Sequence, residues 1–365
     1  MPLAQSIISL VLLIMLIGAG YLLLHGKIPQ IASIIQGQGG GGYVYTTIPQ
    51  GSFQTTSEYP QTTINYSGTQ AQLVAYALSL INRDRNAYGL GNVTLASEQS
   101  GQQHAQDMLA NNYFSHWDML GMKPYMRYTM LGGNGAVAEN AATNTSTVQA
   151  CLGTLCTTKG SIDPQTSLRA MEYSMMYDDV QCCNNGHREN ILDPNHNQVS
   201  IGIAYNSSTI YFVEDFVDEY IAWAQSTPAI SGSEIYLQGA VQGGYNLSSV
   251  TVSYDPPVAN MSRAQLDATH SYSYGSQVAG VASSHSYYYQ GLQTIYADNY
   301  QYSQSAGTFD IRFGIRDLIT NYSAGEYTVL IWLSKPGQAQ SGSFVGATYT
   351  VFIDGSGNAF VPAGV

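Results

Sequence analysis

The sequence predicts an α+β protein: an N-terminal transmembrane helix, a layered domain of helices and strands, then an all-β, sandwich-like C-terminal domain. Three observations carry that expectation. Residues 6–24, SIISLVLLIMLIGAGYLLL, are apolar or small and uncharged, and about 20 such residues span a hydrocarbon core. From residue 69 apolar positions recur at helical spacing and give way to strand-like runs by residue 199. Beyond residue 227 only period-two patterns remain. The expected bounds are 1–27 for the anchor, 28–68 for a stalk, 69–225 for the layered domain and 226–365 for the sandwich.

No positively charged segment precedes the apolar run and no clear small-x-small cleavage site follows it. It therefore reads as an uncleaved anchor rather than a removed signal peptide. Only Lys27 flanks it, which specifies orientation weakly; the sequons and cysteines downstream favour the bulk outside. Glycines at 39–42, followed by Thr, Gln, Ser and Pro, read as a flexible stalk. Leu73, Ala77 and Leu80 form one helical stripe, with Thr69 as N-cap and Gly89 and Gly91 as stops. A second helix is expected over 97–111, carrying Ala105, Met108 and Leu109, and a third over 168–179. Strands are expected over 199–205 and 210–217. In the C-terminal part Phe309, Ile311, Phe313 and Ile315 alternate with Asp310, Arg312 and Gly314. Runs at 326–333 and 347–354 look alike, and 248–254 ends in the turn signal Asp255-Pro256-Pro257.

The chain has 365 residues, 44% of them hydrophobic and only 10% charged, against about 25% in an average soluble chain. Its net charge of −12 and the lack of any basic stripe exclude nucleic acid as a partner. Asn-X-Ser/Thr sequons stand at Asn65, Asn92, Asn144, Asn206, Asn246, Asn260 and Asn321, and glycosylation of some is expected if the chain is exported. There is no HExxH, GxSxG, P-loop or dinucleotide fingerprint.

Between residues 80 and 216 stand, in order, LINRDRNAYGL (80–90), HAQDM (104–108), YFSHW (113–117), KPYMR (123–127), AEN (138–140), GHRENIL (186–192), VSIGIAY (199–205) and YFVEDF (211–216). This succession resembles the CAP superfamily: cysteine-rich secretory proteins, antigen 5 and pathogenesis-related proteins, or the SCP-like extracellular domain, here of prokaryotic type. The resemblance implies an α-β-α sandwich with an open cleft carrying two histidines and two acids. By residue these are His116 of YFSHW, His187 of GHRENIL and Glu139 of AEN. The second acid is placed at Asp178, which shares a helical face with Met171 and Met175; Asp179 and Glu172 are alternatives. Neutral imidazoles at His116 and His187 would suit a divalent metal such as Zn²⁺, with carboxylates fixing the rings. The same groups could act as general acid and base, or form a hydrogen-bonded scaffold. His104 reads as a buried, hydrogen-bonded histidine, Arg127 and Arg188 as braces, Asp215 as structural and His196 as a loop residue.

Cys151, Cys156, Cys182 and Cys183 read as two disulfides of an exported chain. Adjacent cysteines bond each other through a strained eight-membered ring. The expected pairing therefore joins Cys182 and Cys183, in either order, to Cys151 and Cys156; the rival is a four-cysteine zinc site. Three functions compete. The first is a membrane-anchored, single-pass, extracellular binding or interaction module whose ligand is a lipid, glycan or protein. The second is a structural envelope or adhesion component, and the third a cleft-based hydrolase such as a peptidase. No nucleophile stands beside the histidines apart from Ser115, so no catalytic residue is assigned and a non-enzymatic role is favoured.

Overall fold

A computed structural model describes residues 68–360 except residue 153 and residues 339–341. The expected anchor, the stalk up to residue 67 and the sequon at Asn65 lie outside the described residues. Among those described, no helix is long and apolar enough to cross a membrane.

Helix α1 (Gln70–Ala87) starts as expected at Thr69, in a capping box: Gln72 N donates to the Thr69 hydroxyl while Thr69 N donates to the Gln72 side chain at 2.7 Å. It stops before Gly89, whose φ of +73° suits glycine. There follow β1 (Thr94–Leu95), α2 (Ser100–Asn111), α3 (Pro124–Met130) and β2 (Ala136–Thr145). The hairpin β3 (Thr147–Leu152) and β4 (Leu155–Gly160) leads into α4 (Pro164–Tyr177). Next come two short helices, α5 (Val180–Cys183) and α6 (Gly186–Ile191), then β5 (Gln198–Tyr205) and β6 (Thr209–Asp218).

The four-stranded sheet runs β1-β5-β6-β2, leaving β2 at an edge. On one face Leu73, Ala77 and Ile81 of α1 and Leu168, Met171 and Met175 of α4 pack on Val199, Ile201, Ile203, Phe212 and Phe216. On the other, Ala105 and Met108 of α2 pack on Ala204, Tyr211 and Val213. Alternation along the strands produces this split, and each fully buried Leu, Ile or Met contributes about 1.5–3 kcal/mol. The α2 layer sits very close: a Cβ at Gly202 would fall 1.9 Å from the Gly101 carbonyl oxygen, so both positions require glycine. The same alternation sends Glu214 of β6 to the α4 face and Asp215 to the α2 face, where Ser100 Oγ donates to it at 2.5 Å.

The C-terminal part is built of two sheets around one apolar core. Its elements are β7 (Ile221–Trp223), β8 (Ala229–Ser231), β9 (Glu234–Val241), β10 (Asn246–Asp255), α7 (Arg263–Leu266), β11 (Ser276–Ala282) and β12 (Gln293–Tyr296). After these come β13 (Asn299–Ser303), β14 (Thr308–Gly314), α8 (Arg316–Tyr322), β15 (Gly325–Ser334), β16 (Phe344–Ile353) and β17 (Ala359–Phe360). One sheet runs β12-β11-β10-β15-β16-β17 and the other β13-β14-β9-β7, with β8 also on β9. Ile235, Leu237, Ile311 and Phe313 from one meet Val250, Val252, Val329 and Ile331 from the other, the sandwich-like packing the alternation predicts.

The cysteine pairing differs from expectation. Cys151 and Cys156 are directly opposed across the β3–β4 hairpin, their Cα atoms 3.9 Å apart, and are bonded to each other. Cys182 and Cys183 form the second disulfide. The hairpin was not anticipated; it holds Cys151 and Cys156 side by side, which leaves Cys182 and Cys183 only one another.

Candidate functional site

The site grows from the edge strand β2, whose successive side chains face opposite ways. Glu139 points to the α2 side, beside its ladder partner Asp215. Arg127 of α3 reaches it with Nη2 at 2.6 Å, while its Nη1 donates to the carbonyls of His116 and Met122 at 2.9 and 3.0 Å. His116 Nδ1 lies 2.8 Å from the other Glu139 oxygen and donates to it. Burial pushes the Glu139 carboxyl up to about 7, against the pull of Arg127. Burial, with the Arg127 guanidinium, holds His116 down at about 4, so its ring is neutral. His104 is fully buried and neutral too, its Nε2–H donating to the Ser115 carbonyl at 2.7 Å, as its place in α2 predicts.

The second half lies beyond the end of α4. That helix stops at Tyr177, so its phase does not extend to Asp178, which is an exposed C-cap. The assignment of the second acid to Asp178 is therefore corrected: the residue is Asp179, buried, with Oδ1 2.7 Å from His187 Nδ1. Its Oδ2 accepts the backbone N–H groups of His187 and Arg188 at 2.9 and 3.3 Å. Asn184 and Asn185, both left-handed at φ 50° and 68°, reverse the chain so that His187 returns over Asp179. Glu172, the other alternative, instead meets Glu214 inside the core. Burial and the neighbouring carboxyl raise Glu172 well above the usual carboxylate range, so the pair holds a proton there.

The halves join through β2. Asn140, next to Glu139 and facing the other way, donates to the His187 carbonyl at 3.0 Å and to Glu214 at 3.1 Å. His116, Glu139 and Arg127 are one hydrogen-bonded group; His187 and Asp179 are another. In both, a carboxylate holds Nδ1, which leaves Nε2 as the bare acceptor, and no described residue hydrogen-bonds to either Nε2.

One wall was not visible in the sequence. Residues 256–275, between β10 and β11, leave the C-terminal sheets and lie along the segment carrying His116. The β2 edge donates Glu139 N to the Tyr272 hydroxyl at 2.6 Å, and the Tyr272 ring packs on His116 with centroids 5.2 Å apart. Trp117 Nε1 donates to the Ser271 carbonyl and Ser115 Oγ to that of Thr269. Lys123 Nζ, buried, bonds Asp255 Oδ1 at 2.6 Å, and Tyr125 donates to Asp255 Oδ2 at 2.7 Å. The Tyr-Ser alternation of 271–274 could have suggested a strand, but nothing in it says that these rings leave the sandwich.

Residues 78–216 match the family model of the cysteine-rich secretory protein family, CAP. This stretch is a CAP domain. Among solved structures, the CAP domain of Enterococcal PrgA is similar at 13% identity and a TM-score of 0.27, over 40% of this chain and 60% of that one. The chain thus spans less than two thirds of that relative. No curated protein matches the chain.

Within the CAP domain the remaining singled-out residues are structural. Arg188 donates to the Tyr88 hydroxyl at 3.1 Å. His196 is a loop residue, buried, stacked on Phe216 and held by Asp218 at 2.7 Å. Asp215 is buried against Ser100. One group of metal-type ligands is gathered within 4.8 Å among the described residues: Asp179, Cys182, Cys183 and His187. His116 and Glu139 stand outside that group.

Proposed function

We propose that this protein is a membrane-anchored, cell-surface binding module whose CAP cleft, walled by residues 256–275, takes an extracellular lipid, glycan or protein ligand. A divalent cation at His116 and His187 Nε2 would assist. The observation that carries this reading is the matched geometry of the two rings. Each has Nδ1 within hydrogen-bond reach of a carboxylate, the outer-shell arrangement that turns Nε2 toward a metal. Bound there, Zn²⁺ would supply a Lewis-acidic anchor for an oxygen of the ligand. The residues themselves orient the rings, and Tyr272 and Trp117 offer an aromatic wall. Ser115 is buried, its hydroxyl committed to Thr269 and Trp117 N, which argues against a serine hydrolase at this place. The exposed sequons Asn92, Asn206, Asn260 and Asn321 are open to glycosylation, with Asn144 and Asn246 half-buried; that and an anchor at 6–24 fit an exported chain.

The test is calorimetric titration of oxidised protein with Zn²⁺, using wild type, His116→Ala, His187→Ala and the double variant. A shared site predicts that each single change abolishes binding and that the double is no worse. Binding that survives both changes returns the cluster to a scaffold role.

A further inference from the structure

The turn that carries His187 holds a second set of donors. Asp179 divides its carboxylate: Oδ2 anchors the start of α6 through two backbone N–H groups, while Oδ1 faces the His187 ring at 2.7 Å and lies 3.4 Å from Cys182 Sγ. Cys183 adds a second sulfur, and the four ligand atoms lie within 4.8 Å of one another. Two sulfurs, an imidazole nitrogen and a carboxylate oxygen are what a tetrahedral, borderline-soft divalent ion selects. With metal–sulfur distances near ~2.3 Å and metal–nitrogen near ~2.0 Å, the edges of that tetrahedron are roughly 3.4–3.8 Å. Asp179 Oδ1 and Cys182 Sγ, 3.4 Å apart, already meet such an edge, while the two bonded sulfurs and the 2.7 Å pair of His187 Nδ1 and Asp179 Oδ1 open to it on reduction and binding. While the two sulfurs are bonded to each other neither can act as a thiolate ligand. Cys182 is exposed and Cys183 half-buried, so a reductant reaches the bond from solvent.

We propose that Asp179, Cys182, Cys183 and His187 form a thiol-dependent site for a Zn²⁺-class cation, closed by the Cys182–Cys183 disulfide and opened by a dithiol reductant. In opening, the dithiol gives two electrons and two protons to the S–S bond and leaves as its own disulfide. On binding, each thiol releases its proton to solvent and the ion sits between His187 Nδ1 and Asp179 Oδ1. The proton held there moves, through solvent, to Nε2. Loading this site therefore withdraws His187 Nε2 from the cleft. The site needs neither His116 nor Glu139 and stands independently of the cleft reading.

The test titrates the full chain with Zn²⁺ before and after reduction by a phosphine, which adds no competing thiol, and repeats the reduced titration with Co²⁺. In His116→Ala, which lacks the cleft site, reduced protein should take up one equivalent of Zn²⁺ that oxidised protein does not, and Co²⁺ should give reduced protein a near-ultraviolet thiolate charge-transfer band. Both should vanish when Cys182→Ser/Cys183→Ser is added to that background and persist when Cys151→Ser/Cys156→Ser is added instead. Absence of the Co²⁺ thiolate band from reduced wild type overturns the proposal, and that comparison needs no variant to fold. An extra equivalent that survives Cys182→Ser/Cys183→Ser, or is lost with Cys151→Ser/Cys156→Ser, overturns it as well. Loss of cleft binding alone in His116→Ala leaves it standing.

Discussion

The CAP domain and the C-terminal sandwich solve burial in different ways. The sandwich core is aliphatic and aromatic: Ile235, Leu237, Val250, Val252, Phe313, Val329 and Leu333 are all nearly fully buried. Its buried acids, Asp255 and Glu326, lie by the junction, near Lys123 and Val258 N. The CAP domain instead buries Asp84, Arg85, His104, Arg127, Glu139, Glu172, His196, Glu214 and Asp215. Buried charges stabilise only where their partners are complete, and removing one partner costs more than the pair contributes. Apart from those junction acids, one half of the molecule is thus held by area, which tolerates pH; the other by a polar network, which fixes side chains in place and responds to protons.

The largest expected effect is at Arg127. Arg127→Met leaves Glu139 buried without its guanidinium and two carbonyls without a donor, and should cost about 3–5 kcal/mol in chemical denaturation. A loss under ~1 kcal/mol would break the contrast. Tyr272→Phe keeps the ring but strips the acceptor from Glu139 N; a buried donor left bare costs about 1–3 kcal/mol. The sandwich should be blind to that change, which hydrogen exchange in β9 and β14 can check. pH sharpens the comparison further. Burial pushes Glu326 up to about 7, and burial with a neighbouring carboxyl raises Glu172 well above its ordinary value. Acids raised in the folded state add stability below their unfolded value near 4.5, and this is lost as pH rises through the folded value. Stability should therefore fall from pH 6.5 to 8, at most about 1.4 kcal/mol per pH unit for each group. Below 6.5 the depressed His104 acts in the opposite sense. Glu326→Gln should flatten the slope; an unchanged slope would remove Glu326 from the account. The smallest effect is Ile235→Val, about 0.5–1.5 kcal/mol at every pH.

Where local chemistry decides, the sequence was readable. Thr69 caps α1, Gly89 ends its turn, and the alternation from Phe309 to Phe313 became β14. His116 and Glu139, read from two separate motifs, lie within hydrogen-bond distance of each other. Asp178 misled because helical phase was extended one residue past the end of α4; Pro164 at the first turn and Asp163 as cap show the whole helix sitting earlier. The disulfides misled because the strands of the β3–β4 hairpin, TVQACL and LCTTKG, carry little apolar alternation. Tyr272 was invisible because its partners are more than 130 residues away, and no local pattern encodes such a contact.

That distance has a consequence for synthesis. Chains emerge N-terminal end first, at roughly 5–20 residues per second. All strands of the CAP sheet are complete at Asp218, yet the residue that caps the β2 edge follows about 50 residues later, some ~3–10 s on the ribosome. Thr348, whose backbone N–H and hydroxyl donate to the carbonyls of Asn134 and Gly135, comes later still. For that interval Lys123 lacks Asp255, Trp117 lacks Ser271, and the β2 edge offers an open strand to any passing chain. The nascent CAP domain is a half-closed vessel whose last wall is delivered by its neighbour.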